Sequence, residues 1–156
     1  MSAIHLIRHA KAKNRLDWKE RDHLRPLTKR GRRQAEALGE RLRDEPLARL
    51  LSSPFVRCVQ TLEPLAVAAD LPIETTDLLA EGAGAESALS LLLPLAGEGP
   101  IACCTHGDVV FDIVRTVASS GVALAGPFDV PVAGTWIFDV DDGRVADGRF
   151  VERPPR

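Results

Sequence analysis

The chain has 156 residues, 45% of them hydrophobic, with 20 Lys and Arg against 22 Asp and Glu for a formal net charge of -2. That length suits one domain whose core can fold without disulfides or metal, and no apolar run approaches membrane-spanning length. The acidic balance disfavours a nucleic-acid partner, three cysteines cannot all pair with one another, and the start Met-Ser-Ala-Ile lacks a charged n-region and an apolar h-region, so a reduced cytoplasmic protein is expected.

Ala3 to Ile7 reads as a buried strand, with His5 packed inside it and Arg8-His9-Ala10 emerging at its end. Residues 11–27 are polar and close on Arg25-Pro26-Leu27, with His23 as a surface group; loops beyond about 12 residues in compact domains are commonly functional. Ala35, Leu38 and Leu42 at helical spacing predict a helix over Lys29 to Arg43. A strand from Ala48 to Ser52 leads to a second helix, with Ser53 as its N-cap, Pro54 in its first turn and a buried stripe of Phe55, Cys58, Leu62, Leu65 and Ala69. A short strand over Ile73 to Thr75, a loop from Asp77 to Ala85 and a helix from Glu86 to Leu95 follow. Pro100 to Thr105 is the next strand, and Cys103 and Cys104 within it should point to opposite faces as small core residues. A helix from Asp108 to Ser119 precedes a terminal hairpin of Gly134 to Val140 and Arg144 to Phe150, turned by Asp141-Asp142-Gly143. The tail Arg153 to Arg156 is expected to be disordered, leaving residues 1–152 as the domain. Alternating strands and amphipathic stretches predict an α/β fold: a single three-layer domain with a mostly parallel central sheet flanked by helices.

Three strand ends therefore offer chemistry: Arg8 and His9, then Arg57 shortly after Ser52-Ser53, then His106 after Thr105. In open α/β sheets such ends converge on one crevice. A phosphoryl group suits these side chains, because the guanidinium fork donates two parallel hydrogen bonds and does not lose its charge. Arg25 is a third arginine candidate from the long loop. His9 fits a nucleophile if one ring nitrogen is neutral while the other is fixed by a backbone carbonyl, and His106 fits a second nucleophile, a base or a donor to phosphoryl oxygens. Residues 8–33 hold 11 of the 20 Lys and Arg, a distribution that would steer anionic substrates or simply form a solvated surface. A zinc hydrolase using His5, His9 and His106 is a weaker alternative, because His5 and His9 on one extended strand, at about 3.3 Å rise per residue, are far apart for one ion.

Four segments carry a closer resemblance: Leu6-Ile7-Arg8-His9-Ala10, Arg25-Pro26-Leu27-Thr28-Lys29-Arg30-Gly31, Ser52-Ser53-Pro54-Phe55-Val56-Arg57-Cys58-Val59-Gln60-Thr61 and Thr105-His106-Gly107-Asp108. In order and context they resemble the histidine phosphatase superfamily, also called phosphoglycerate mutase-like, and most of all its small branch of SixA-like phosphohistidine phosphatases. A further likeness, including Gly134-Thr135-Trp136, runs to the phosphatase domain at the C-terminus of some bacterial Nudix hydrolases. The resemblance implies a phosphatase without metal or cofactor, in which His9 takes the phosphoryl group and water releases it. It implies a phosphate pocket of Arg8, Arg57 and His106, with Arg25 matching an arginine of the small branch. It also implies a general acid, for which Glu81 is the best positional match and Asp108 the second. The expected partner is a phosphohistidine-bearing protein, a small phosphomonoester or a nucleotide. A phosphate-binding regulatory module with weak turnover is the non-enzymatic alternative.

Overall fold

A computed structural model describes residues 2–155. Each apolar segment becomes a strand and each amphipathic one a helix, in the order β1 (Ser2–Arg8), α1 (Lys29–Leu42), β2 (Arg49–Ser52), α2 (Val56–Ala69), β3 (Ile73–Thr75), α3 (Ala85–Ala96), β4 (Ile101–Thr105), α4 (Gly107–Ser119), β5 (Thr135–Asp141) and β6 (Arg144–Val151). The six strands form one sheet in the order β3-β2-β4-β1-β5-β6. Strands β3, β2, β4 and β1 pair in parallel, and β5 runs antiparallel to both β1 and β6. Strand β4 is buried along its whole length and β1 from Ile4 through Ile7, as strands covered on both faces must be.

Side-chain alternation along β1 and β4 divides the core into two layers. Ile4, Leu6, Ile101 and Cys103 face α3 and α4, together with Trp136 and Phe138 from β5. Ile7, Ala102 and Cys104 face α1 and α2 on the other side. The expected opposition of Cys103 and Cys104 is realised, and all three cysteines are free and buried. Each fully buried leucine in these layers, such as Leu6, Leu50 or Leu62, contributes roughly 1.5–3 kcal/mol of burial free energy. The fold is thus the three-layer α/β domain that the residue pattern predicts.

Local signals set the element ends. Thr28 caps α1 by accepting the Gly31 N–H at 3.0 Å, and buries Gln34, Ala35, Leu38 and Leu42 behind it while the Arg and Glu side chains face outward. Asp142 and Gly143 both have positive φ, 50° and 73°, the turn that matches the twist of a two-residue hairpin. The expected N-cap at Ser53 is not formed. Helix α2 starts at Val56 behind Phe55, and the Ser53 hydroxyl lies 2.8 Å from His106 Nε2 and accepts the Phe55 N–H at 3.2 Å just ahead of the helix. Of the predicted stripe on α2, Cys58, Leu62 and Leu65 are buried, while Phe55 and Ala69 are half-buried. In the tail, Pro154 is buried and Arg153 Nη1 donates to the Val132 carbonyl at 3.4 Å, while Arg156 lies outside the described residues. Among the described residues no helix is long and apolar enough to cross a membrane.

Candidate active site

Parallel strands β1, β2 and β4 all end at one edge of the sheet, and the residues just beyond them line a cleft of about 810 Å³. Arg8, His9, Arg25, Arg57, Glu81 and His106 all reach it, as does Asp108, so the structure brings together every predicted site residue. His5 stays inside β1 and is buried, as expected of a packed residue. Among the described residues, no three His, Cys, Asp or Glu side chains gather with metal-binding geometry, so the three-histidine arrangement considered for zinc is not formed.

The end of β1 is held on both sides. His9 N–H donates to the Thr105 carbonyl at 3.1 Å, and the Ala133 N–H reaches the carbonyls of Arg8 and His9, each at 3.1 Å. Ala10 N–H donates to Thr61 Oγ1 at 2.9 Å, and that hydroxyl donates to the Arg57 carbonyl at 2.7 Å, which joins the strand to the first turns of α2. The His9 ring lies 2.7 Å from the Ala10 carbonyl through Nδ1. A carbonyl only accepts, so Nδ1 carries the proton and Nε2 keeps its lone pair. Burial lowers the His9 pKa to about 3; the Ala10 carbonyl works the other way, and the proximity of Arg57, His106 and Arg8 adds to the depression. His9 is therefore a neutral imidazole at ordinary pH.

Arg8 and Arg57 both line the cleft with this ring and act on its charge. Arg8 donates from Nη1 to the Val130 carbonyl at 2.7 Å, and burial lowers its pKa while Asp129 and Asp108 counter that effect. Arg57 is fully buried, donates from Nη1 to the Asp22 carbonyl at 3.0 Å and from Nη2 to Asp22 Oδ2 at 3.1 Å. Its guanidinium lies 4.9 Å from the centre of the Phe55 ring. The Nε atoms of both arginines are buried without a hydrogen-bond partner. A buried guanidinium N–H left unmatched costs free energy that an incoming oxyanion would recover.

His106 completes the wall. Its Nδ1 lies 3.5 Å from Arg57 Nη2, which can only donate, so Nε2 holds the proton and donates to Ser53 Oγ. The rings of His9 and His106 meet edge-on with centres 5.6 Å apart. Gly107 leaves room for Arg8, because a Cβ at that position would lie 2.9 Å from the Arg8 Cζ and shift its guanidinium. Glu81 faces Arg15 at 3.3 Å and Arg57 at 3.5 Å, and Asp108 Oδ2 accepts the Gly82 N–H at 2.8 Å, which steadies the turn carrying Glu81. Both carboxylate candidates thus border the cleft, in different bonding states.

The sequence reading overlooked several residues of this site. Asp22 binds Arg25 and Arg57 through one carboxylate, Ser53 anchors His106, and Thr61 anchors the peptide after His9. The only sequence signal for Asp22 is its place three residues before Arg25 in the long loop. Gly31 gains a reason as well, since a Cβ there would sit 2.0 Å from the Lys11 carbonyl, where α1 crosses the chain leaving β1.

A family model described as the histidine phosphatase superfamily, branch 1, matches residues 4–85, more than half of the chain. The 8-oxo-(d)GTP phosphatase of Mycolicibacterium smegmatis is 33% identical over 153 residues, covering 96% of this chain and 48% of that protein, so this chain spans about half the length of that relative. Among solved structures, the protein histidine phosphatase SixA complexed with tungstate superposes with a TM-score of 0.76 at 22% identity, over 96% of this chain and 94% of that one. YhfR of Bacillus stearothermophilus superposes with a TM-score of 0.75 at 18% identity, over 93% of this chain and 94% of that one. At these identities the two likenesses speak to the fold.

Proposed function

Because the chain belongs to the histidine phosphatase superfamily, we propose that it hydrolyses phosphomonoesters or phosphoramidates through a phosphohistidine on His9. The observation that carries this reading is the His9 ring, neutral, fixed through Nδ1 by the Ala10 carbonyl, and flanked by two arginines with unmatched Nε–H groups.

In the proposed first step the Nε2 lone pair attacks phosphorus in line. The N–P bond forms as the bond to the leaving atom breaks, and that atom takes the bonding electrons and a proton from Glu81. Arg8 and Arg57 stabilise charge on the non-bridging oxygens, a role in which aligned donors inside a cleft are worth more than in water. Arg25 adds a third cation from the loop. With a proton on Nδ1, His106 would donate to a phosphoryl oxygen rather than accept from Arg57. In the second step water attacks phosphorus, gives its proton to the carboxylate, and the N–P bond breaks to return His9 and inorganic phosphate. Asp108 serves to hold the Glu81 turn through Gly82, which supports Glu81 over Asp108 as the acid. The arginines supply the charge compensation, so the reaction as drawn needs no metal or cofactor.

The substrates that fit are a phosphohistidine-bearing protein, a small phosphate ester or a nucleotide. Similarity to an 8-oxo-(d)GTP phosphatase favours including nucleotides in the test. Wild type and His9→Ala should be assayed against a panel of all three classes. His9→Ala is expected to lose turnover by about a thousandfold or more, as loss of a nucleophile does elsewhere. Rapid quenching into alkali should trap a phosphoenzyme in wild type only, and full activity without His9 would sink the covalent route.

A further inference from the structure

Of the three carboxylates in residues 8–33, Asp17, Glu20 and Asp22, one is drawn into the centre of the site. Asp22 opens a single 3-10 turn, Asp22–Leu24, whose geometry turns both its carbonyl and its carboxylate toward Arg57. Oδ2 accepts from Arg57 Nη2 at 3.1 Å and the carbonyl accepts from Arg57 Nη1 at 3.0 Å. Oδ1 accepts from Arg25 Nε at 3.0 Å, and Arg15 Nε stands 3.6 Å from the same oxygen. Burial opposes ionisation of Asp22, but the bonds from Arg25 and Arg57 outweigh it and hold the carboxyl below its ordinary pKa.

A guanidinium has two bidentate edges, one made by Nη1 and Nη2 and the other by Nε and Nη2. Asp22 occupies the first edge of Arg57; on the second, Nε is buried and unmatched, while Nη2 stands 3.5 Å from both His106 Nδ1 and Glu81 Oε1, the groups the substrate would meet there. Arg25 gives its Nε to Asp22 and its Nη1 to the Lys13 carbonyl at 2.6 Å, and its Nη2 has no partner among the described residues. One carboxylate therefore fixes two arginines, one from the long loop and one from α2, and leaves Arg57 Nε and Arg25 Nη2 unpartnered on two residues that line the same cleft.

We propose that Asp22 is a positioning residue for phosphoryl binding: resting on the phosphatase reading above, it clamps Arg57 and Arg25 by edges the substrate does not use. The phosphoryl oxygens then take the Nε edge of Arg57 and Nη2 of Arg25 without displacing Asp22. Donors held in place before the ligand arrives lose little freedom on binding it. An asparagine at this position has a single acceptor oxygen and an amide that donates, so it satisfies one arginine and turns N–H groups toward the other.

The test uses the intact chain, inorganic phosphate as a competitive inhibitor and p-nitrophenyl phosphate as substrate. Asp22→Asn should raise the phosphate Ki and lower kcat/KM by about tenfold each, the scale of one charge-assisted hydrogen bond. Asp17→Asn, the same charge change in the same loop at an exposed residue, should alter neither. Asp22→Glu keeps the charge but moves it by one methylene, and should fall between wild type and Asp22→Asn. Circular dichroism and thermal unfolding accompany each variant, because a merely structural role would lower the melting temperature and leave the Ki of the folded fraction unchanged. An unchanged Ki in folded Asp22→Asn overturns the proposal. So does tighter phosphate binding, which would make Asp22 a competitor of substrate. Should Asp22→Asn not fold, an unchanged Ki in Asp22→Glu overturns it instead. A wild type that neither hydrolyses the ester nor binds phosphate overturns the phosphatase reading and this one together, whereas an active wild type matched by Asp22→Asn overturns this one alone.

Discussion

At the scale of single residues, the site depends on one imidazole kept neutral by its surroundings. His9 has an ordinary pKa of 6.5 and a folded-state value of about 3, with burial the largest cause. As pH falls below about 6.5 the unfolded chain binds a proton at this position and the folded chain does not, so the folded state loses stability steadily until about pH 3. Burial lowers the pKa of His5 in the same direction, with Glu45 opposing it and Arg149 adding to it. Replacing His9 by alanine should therefore narrow the acid sensitivity of the protein: the melting temperature of wild type relative to His9→Ala should drop as buffers are stepped from pH 7 to about pH 4. A difference that stays constant across that range would contradict the buried, uncharged assignment. Arg8, His9, Arg57 and His106 were legible in the sequence because each follows an apolar run that must end at the sheet edge. Asp22 was not. A carboxylate inside a polar 17-residue loop has no periodicity to reveal it, and its bonds go to Arg25 in the same loop and to Arg57 from a distant helix.

At the scale of elements, the motifs are joints between segments. Thr28 caps α1, its own N–H donates to the Lys11 carbonyl at 3.0 Å, and Leu27 N–H donates to Gln60 Oε1 at 2.8 Å, so the start of α1 is tied to the segment leaving β1 and to α2. Thr28→Ala should cost about 0.5–2 kcal/mol in chemical denaturation, the range for loss of a capping side chain. A loss confined to stability, with phosphate-ester turnover unchanged at low temperature, is the expected pattern. Periodicity located the helices well: Lys29 to Arg43 was expected and Lys29–Leu42 is found, and Glu86 to Leu95 becomes Ala85–Ala96. The start of α2 was misread because Ser-Pro at a strand end is a good local cap signal. A tertiary partner, His106 Nε2, took the Ser53 hydroxyl, and the helix began two residues beyond Pro54. The hairpin was legible for the opposite reason, since its Asp-Gly turn is decided by backbone conformation alone.

At the scale of the whole molecule, charge and topology act together. The segment holding 11 of the 20 Lys and Arg leaves β1 at the mouth of the cleft, with Lys11, Arg15 and Arg25 on its lining. Their field should speed the approach of anionic substrates, so kcat/KM for a phosphate dianion is expected to fall several-fold between low salt and about 0.5 M, with kcat much less affected. Stopped-flow or steady-state assays over a salt series check this, and a flat profile would mean that the segment is only solvated surface. The alternation of strands and helices made the three layers readable from sequence. Strand order was not, because pairing β1 with β4 and β5 depends on contacts across the whole chain.

The one reversed strand has its own consequence. Since β5 runs against its neighbour β1, it meets the cleft with its first residue rather than its last, and the connection before it supplies Val130, Val132 and Ala133 to the surroundings of Arg8 and His9. Lengthening or remodelling that connection upstream of Val130 would reshape the rim of the cleft without shifting the end of any parallel strand. A common reaction centre can in this way be retailored to new molecules by editing a single surface segment.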